Sequence, residues 1–166
     1  GITTGYNPAY QNLEYPGGDV SRSTGVCTDV VIRAFRDAFD LDIQKEIHED
    51  MSENFPEYPS LWGLSRPDRN IDHRRVPNLQ TWMKRRGWEL PVSRDPADYE
   101  PGDLVTCTVP PNLPHIMIVS DRNSPDGTPL IIHNIGAGVL EENRLFEFPH
   151  TGHFRIVELD SRTAAE

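Results

Sequence analysis

Apolar residues along the chain fall into two regimes, the first at helical spacing and the second at strand spacing. Cys27 to about Phe39 carries Val30, Val31, Ala34, Phe35 and Ala38 as a helical stripe, and Ile43, Ile47, Met51 and Phe55 repeat at i, i+4 in a second. Pro56, Pro59 and Pro67 break the next stretch into loop. A third helix is predicted from Pro77, a residue suited to a first helical position, to a stop at Gly87. Beyond it the period changes. Leu104 to Val109 alternates, Ile116 to Val119 and Leu130 to Ile132 are short apolar runs, and Asp126-Gly127 supplies the hairpin turn between those two. Phe146 to Phe148 and Phe154 to Val157 read as further strands. Residues 1–24, rich in Gly, Tyr, Ser and Asn around the turn Pro16-Gly17-Gly18-Asp19, are expected to lie as an extended arm over the domain. Helices first and antiparallel strands after is the α+β pattern, a helical layer packed on one face of a small sheet.

At 166 residues the chain is long enough for one domain, expected over residues 1–158, to bury a core without disulfides or metals, with residues 159–166 as a frayed tail. Two cysteines are too few for a disulfide scaffold. Sixteen Lys and Arg against 26 Asp and Glu give a net charge of -10, which argues against nucleic acid or an anionic membrane surface as the main partner. No apolar run approaches the roughly 20 residues of a membrane span, so no membrane insertion is expected. The first residue is Gly1 rather than Met, as in a mature or trimmed form, so the missing signal peptide is no argument for the cytoplasm. Charge is uneven: Asp37 to Glu57 is acidic, whereas Arg66 to Arg94 gathers eight cations. Either these are two solvated faces, or the second is a basic wall for a substrate bearing carboxylates.

The candidate chemistry lies at the seams of this pattern. Cys27, in Gly25-Val26-Cys27-Thr28-Asp29, stands where loop gives way to helix, and a helix N-terminus and a nearby imidazolium both favour a thiolate. His115 opens the apolar run Ile116-Met117-Ile118-Val119, and His133 ends the partner strand. Cross-strand Cβ atoms lie about 4.5 to 5.5 Å apart, near enough for His133 to hold the His115 ring in one tautomer. That is the arrangement of nucleophile, base and orienter, with Cys27, His115 and His133 in those roles. Asn134 competes as orienter, and because strand side chains alternate, only one of His133 and Asn134 can face His115. A small buried hydrophobe is the plain alternative for Cys27, and Cys107, on one face with Val105 and Val109, reads as core. A Cys27–Cys107 disulfide would compete with catalysis. Asp72 and His73 are candidates for a second acid/base pair or, with Arg74, a substrate clamp, although an Asp-His pair in a loop is more often structural. His150 and His153 lack a third ligand of metal-site type and are expected to face solvent, and no metal or organic cofactor is expected.

The order Tyr15, Gly17-Gly18, Cys27, Pro101-Gly102-Asp103-Leu104-Val105 and His115-Ile116-Met117-Ile118-Val119 resembles the NlpC-type papain-like cysteine peptidases of bacterial cell-wall peptides. His133 falls where that family has its third polar residue, which favours it over Asn134. More closely, Tyr15-Pro16-Gly17-Gly18-Asp19, the stretch around Cys27, His48-Glu49-Asp50-Met51, Arg66 to Leu79 and His133 to Gly138 resemble the bacterial domain-of-unknown-function family 1287. The resemblance implies a papain-like α+β fold and a hydrolase that cuts an amide bond in peptidoglycan stem peptides, periplasmic or secreted. It implies the Tyr15 hydroxyl as a second oxyanion donor beside the Cys27 N–H. It also leaves open acyl transfer on the same triad, or a non-catalytic module binding cell-wall peptides. The chain departs from the usual Asp-Cys-Ser-Gly at the nucleophile, having Val26-Cys27-Thr28-Asp29 instead. Asp29 is then a candidate for holding a substrate amine, or simply an acid favourable to the helix dipole.

Overall fold

The computed structural model describes residues 2–157, so the tail expected to fray lies outside the described residues. Three helices, α1 (Cys27–Phe39), α2 (Ile43–Asn54) and α3 (Val76–Arg85), precede the sheet. Its strands are β1 (Glu89–Leu90), β2 (Leu104–Val109), β3 (Leu113–Asn123), β4 (Pro129–Asn134), β5 (Val139–Glu142) and β6 (His150–Phe154). They form one antiparallel sheet in the order β1-β6-β2-β3-β4-β5, and the fold is α+β.

Two helix boundaries follow local chemistry. Gly87 takes φ +74 just past α3, a left-handed conformation that costs glycine little, and Asp42 accepts from the Gln44 N–H (3.2 Å) to cap α2. The buried face of α1 is rotated from the expected stripe: Cys27, Thr28, Val31, Ile32 and Phe35 face inward, while Ala38 is exposed. Together with Ile43, Ile47 and Met51 of α2 and Leu79, Trp82 and Met83 of α3, they pack on Leu104, Ile116 and Phe154 of the sheet. The opposite face carries a second core of Val105, Cys107, Met117, Val119, Ile131, Leu145 and Tyr99. Cys107 is thus core, as its alternation predicts.

Three readings of the strand region are corrected. Phe146 to Phe148 is a turn, its apolar alternation arising because Leu145, Phe146 and Phe148 close over the second core. The last strand is His150–Phe154, not Phe154 to Val157. His150 and His153 do not face solvent. His150 bonds the Tyr99 hydroxyl (3.0 Å) and the Leu145 carbonyl (2.6 Å), and His153, 1% exposed, bonds Asp103 (2.6 Å).

Asp103 ends the turn that launches β2. Its carboxylate accepts from His153, from Arg155 (2.7 and 2.8 Å) and from the Glu100 N–H (2.9 Å), tying the turn to β6. Burial opposes its charge, but these donors outweigh burial and hold its pKa down to about 2. A depressed acid stabilises the fold above its unfolded value, about 3.9, and the contribution is lost as pH falls towards the folded value. Thermal melts between pH 5 and 2 should therefore show a steep acid limb between about pH 4 and 2, and Asp103→Asn should flatten it while lowering the melting temperature at pH 7. An unchanged acid limb in Asp103→Asn would assign that limb to other groups.

Candidate functional site

The site forms where β3 and β4 part. Those strands pair at Ile118↔Ile132 and Val119↔Ile131, and their pairing does not extend to Ile116. The first turn of α1 enters there, and the Ile116 N–H faces the Cys27 sulfur, as do the N–H groups of Thr28 and Cys27 itself. The sulfur therefore sits at the positive end of a helix and one residue from His115, inside a ring of three donors. Burial nevertheless dominates, and with the nearby Asp29 charge it pushes the thiol up to about 11. Cys107, directly opposite His115 across the β2–β3 ladder, is pushed to about 12 by burial and the neighbouring Cys27. Both cysteines are free thiols.

His115 and His133 are brought together. His115 Nε2 lies 2.8 Å from His133 Nδ1 and the rings meet edge to face. Given the strand register, His133 is diagonal to His115 rather than opposite it. Burial, His133 and Arg144 push the His115 pKa down to about 4. Cys27 and His115 make no hydrogen bond with each other, and among the described residues His115 Nδ1 has no partner. Both side chains are closed off, 5% and 4% exposed. Asn134 does not touch His115: its amide nitrogen donates to the carbonyls of Gly5 (3.1 Å) and Gly25 (3.3 Å), on the other face of the strand.

The chain of contacts continues to a residue that the sequence pattern did not single out. His133 Nε2 lies 2.8 Å from a Glu142 carboxylate oxygen. Glu142 ends β5, whose register sets Leu140 opposite His133 and Glu142 two residues on, on the same face. Recognising Val139–Glu142 as a strand would have exposed it, but two adjacent apolar residues followed by two acids leave no alternation to read.

The other candidates are placed differently. Asp29 does not offer a free carboxylate to a substrate amine. It accepts from the Val26 N–H (2.7 Å), closing the first turn of α1, and holds Arg74 through two hydrogen bonds (3.0 and 2.9 Å). Arg74 is correspondingly no substrate clamp. It is buried, and its remaining donors reach the carbonyls of Asn7 and Ala9 (both 3.3 Å). Asp72 and His73 share a helical turn yet are not bonded to each other. Asp72 accepts from the Asp68 N–H (2.5 Å) and from Arg75 (3.2 Å), and burial raises its pKa. His73 is buried, pushed down to about 3 by burial and then by Arg74 and Arg36. The basic wall is dissolved in the same way, with Arg75 stacked on Trp62 at 4.2 Å and Arg69 on Tyr15 at 5.6 Å. Tyr15 itself packs against His48 (4.9 Å) among the acids of α2, and its phenol is raised by burial, then by Glu49 and Asp42. The phenol of Tyr6 is also raised, by burial and then by the Cys27 and Asp29 charges.

Tyr6 belongs to the N-terminal arm, which crosses this end of the sheet. Thr4 and Gly5 donate to the Ser23 carbonyl, Asn7 donates to that of Gly25, and Val139 donates to that of Thr3. Gly138 takes φ +90 beneath it, where a Cβ would lie 2.7 Å from the Thr3 carbonyl oxygen. Among the described residues no three His, Cys, Asp or Glu side chains gather as for a metal ion, and no helix is long and apolar enough to cross a membrane.

Over residues 1–156 the chain matches the family described as Domain of unknown function (DUF1287). It is a member of that family. It is also similar to "Uncharacterized protein YijF" of Escherichia coli (strain K12), 56% identical over 155 residues that cover 93% of this chain and 75% of that protein.

Removing one partner of a buried ion pair strands the other charge, at about 3–5 kcal/mol. Asp29 and Arg74 side chains are 4% and 2% exposed. Arg74→Ala should therefore destabilise the chain in urea by about that amount. A loss below about 1 kcal/mol, the range of an exposed pair, would show that Asp29 is not held as described.

Proposed function

We propose that this DUF1287 protein is a papain-like cysteine hydrolase of the NlpC type, acting on an amide bond of peptidoglycan stem peptides outside the cytoplasm. The observation that carries the chemistry is the Cys27 sulfur held among the helix-start N–H groups and that of Ile116, next to the buried His115–His133 pair. The cell-wall substrate and the periplasmic or secreted setting rest on the motif order that resembles the NlpC-type peptidases.

In this reading Cys27 and His115 rest as a neutral thiol and a neutral imidazole, because burial disfavours both charged forms. Substrate binding brings the thiol and His115 Nδ1 into contact. His115 takes the thiol proton as the sulfur attacks the carbonyl carbon, and the Cys27 N–H stabilises the oxyanion. The C–N bond breaks as His115 returns the proton to the leaving amine, and water then hydrolyses the thioester. His133 orients His115. The Tyr15 hydroxyl implied by the resemblance and the Tyr6 phenol, whose pKa the Cys27 charge helps to raise, are the two candidates for a second oxyanion donor.

A second reading is favoured by one observation, the near-complete burial of Cys27 and His115. It keeps the site as a peptide-binding module with an inert thiol. Incubation with peptidoglycan fragments, with products read by mass spectrometry, separates the two. Hydrolysis predicts new amine and carboxylate termini, complete loss in Cys27→Ala, a loss of about 100- to 10,000-fold in His115→Ala and a smaller one in His133→Ala. A general base must be unprotonated, so activity should fall as pH drops through about 4 and not rise with thiol ionisation until about 11. Turnover in Cys27→Ala equal to wild type would end the proposal, and binding without turnover would select the second reading. An amide product with an added amine would assign acyl transfer instead of hydrolysis.

A further inference from the structure

We infer that Glu142 is the residue that sets the direction of the whole hydrogen-bond chain behind Cys27, and so decides which nitrogen of His115 is the base. The inference deepens the hydrolase reading and rests on it for its catalytic meaning, while the tautomers it assigns stand on geometry alone.

The argument follows from what each atom can do. A carboxylate has no proton to give, so across the 2.8 Å contact His133 Nε2 must be the donor and the Glu142 oxygen the acceptor. A neutral imidazole with its proton on Nε2 has only a lone pair on Nδ1. His133 Nδ1 is therefore an acceptor, and across the next 2.8 Å contact His115 Nε2 must be the donor. That leaves the His115 lone pair on Nδ1, the one ring nitrogen that no described residue engages. The anchor is thus fixed at one end by a group that only accepts, and each proton position follows in turn.

Without the carboxylate the logic loses its fixed end. A chain of two imidazoles is as well satisfied with both protons reversed: His133 Nδ1–H donates to His115 Nε2, and His115 carries its other proton on Nδ1. In that arrangement His115 presents a proton to the thiol rather than a lone pair, and the base is switched off. Glu142 also faces the positive charge that forms when His115 is protonated on both nitrogens, with His133 between them. Arg144 lies 3.6 Å from the same carboxylate oxygen and binds Glu147 on its far side, so Glu142 is held between a cation outside and an imidazole inside. Glu142 touches neither the sulfur nor a substrate, and its role is that of a positioning residue.

The test is nitrogen NMR of the whole chain labelled with 15N-histidine at pH 7, read through the two-bond couplings that distinguish protonated from unprotonated ring nitrogens. The wild type is expected to show His133 and His115 both in the Nε2–H form. In Glu142→Ala the two nitrogen shifts of His115 should converge as the reversed tautomer becomes populated. In Glu142→Gln, whose amide oxygen still accepts, they should stay near the wild-type values. Wild-type His115 found in the Nδ1–H form overturns the inference without need of any variant, and so does a folded Glu142→Ala with unchanged tautomers. Because no substrate enters this measurement, its failure is distinct from failure of the hydrolase reading, which is decided by turnover in Cys27→Ala.

Discussion

The bidentate Asp29–Arg74 pair holds the end of the molecule around Cys27 together. Asp29 closes the first turn of α1 through the Val26 N–H, which fixes Cys27 in place with its own N–H and that of Thr28 turned on the sulfur. Arg74 comes from a helical turn 45 residues away and carries the loop between α2 and α3 with it, while its remaining donors fasten the arm at Asn7 and Ala9. The Thr28 hydroxyl returns a bond to the Arg74 carbonyl (3.1 Å). Gly25 packs closely on this pair: a Cβ there would lie 3.0 Å from the Asp29 carboxylate, tighter than ordinary contact. Neutralising Asp29 also matters electrostatically, since its charge opposes the thiolate a few atoms away.

Around the sulfur two effects oppose each other. Three N–H groups favour the thiolate, but enclosure by the sheet edge and the helical core removes the water that would solvate it, and enclosure wins. The same enclosure keeps His115 neutral. In the proposed reading both groups rest neutral, and an electrophile that enters the site meets a thiol whose proton His115 can take. The arm crosses this end of the sheet, bonded to the Ser23 and Gly25 carbonyls just before α1.

Much of the fold was legible because local chemistry dictated it. Gly87 ended α3, and Asp126-Gly127 turned β3 into β4 at a glycine with φ +86. The stretch from Phe146 to Phe148 misled because a turn capping an apolar core buries alternate residues just as a strand does. At the site, Cys27, His115 and His133 were visible from their places at element ends, and the alternation rule anticipated that His133 and Asn134 would face opposite ways. What stayed hidden were pairings set by tertiary approach alone. Asp29 and Arg74 were each noticed as free groups, yet each is the other's partner. Tyr15 was implied by the family resemblance alone, and its Gly17-Gly18 turn is fastened to the start of α2, with Gly17 donating to Asp42 (2.7 Å) and Gly18 to Gln44 (2.8 Å), while its ring packs on His48.

The central claim, that Cys27 and His115 work as a pair, is tested most directly by iodoacetamide alkylation of the native chain at pH 7, read by mass spectrometry with Cys107 as internal reference. The account predicts that Cys27 is labelled faster than Cys107, that His115→Ala slows Cys27 several-fold, and that the Cys107 rate stays the same. Cys27 labelled no faster than Cys107, or at a rate indifferent to His115, would contradict it.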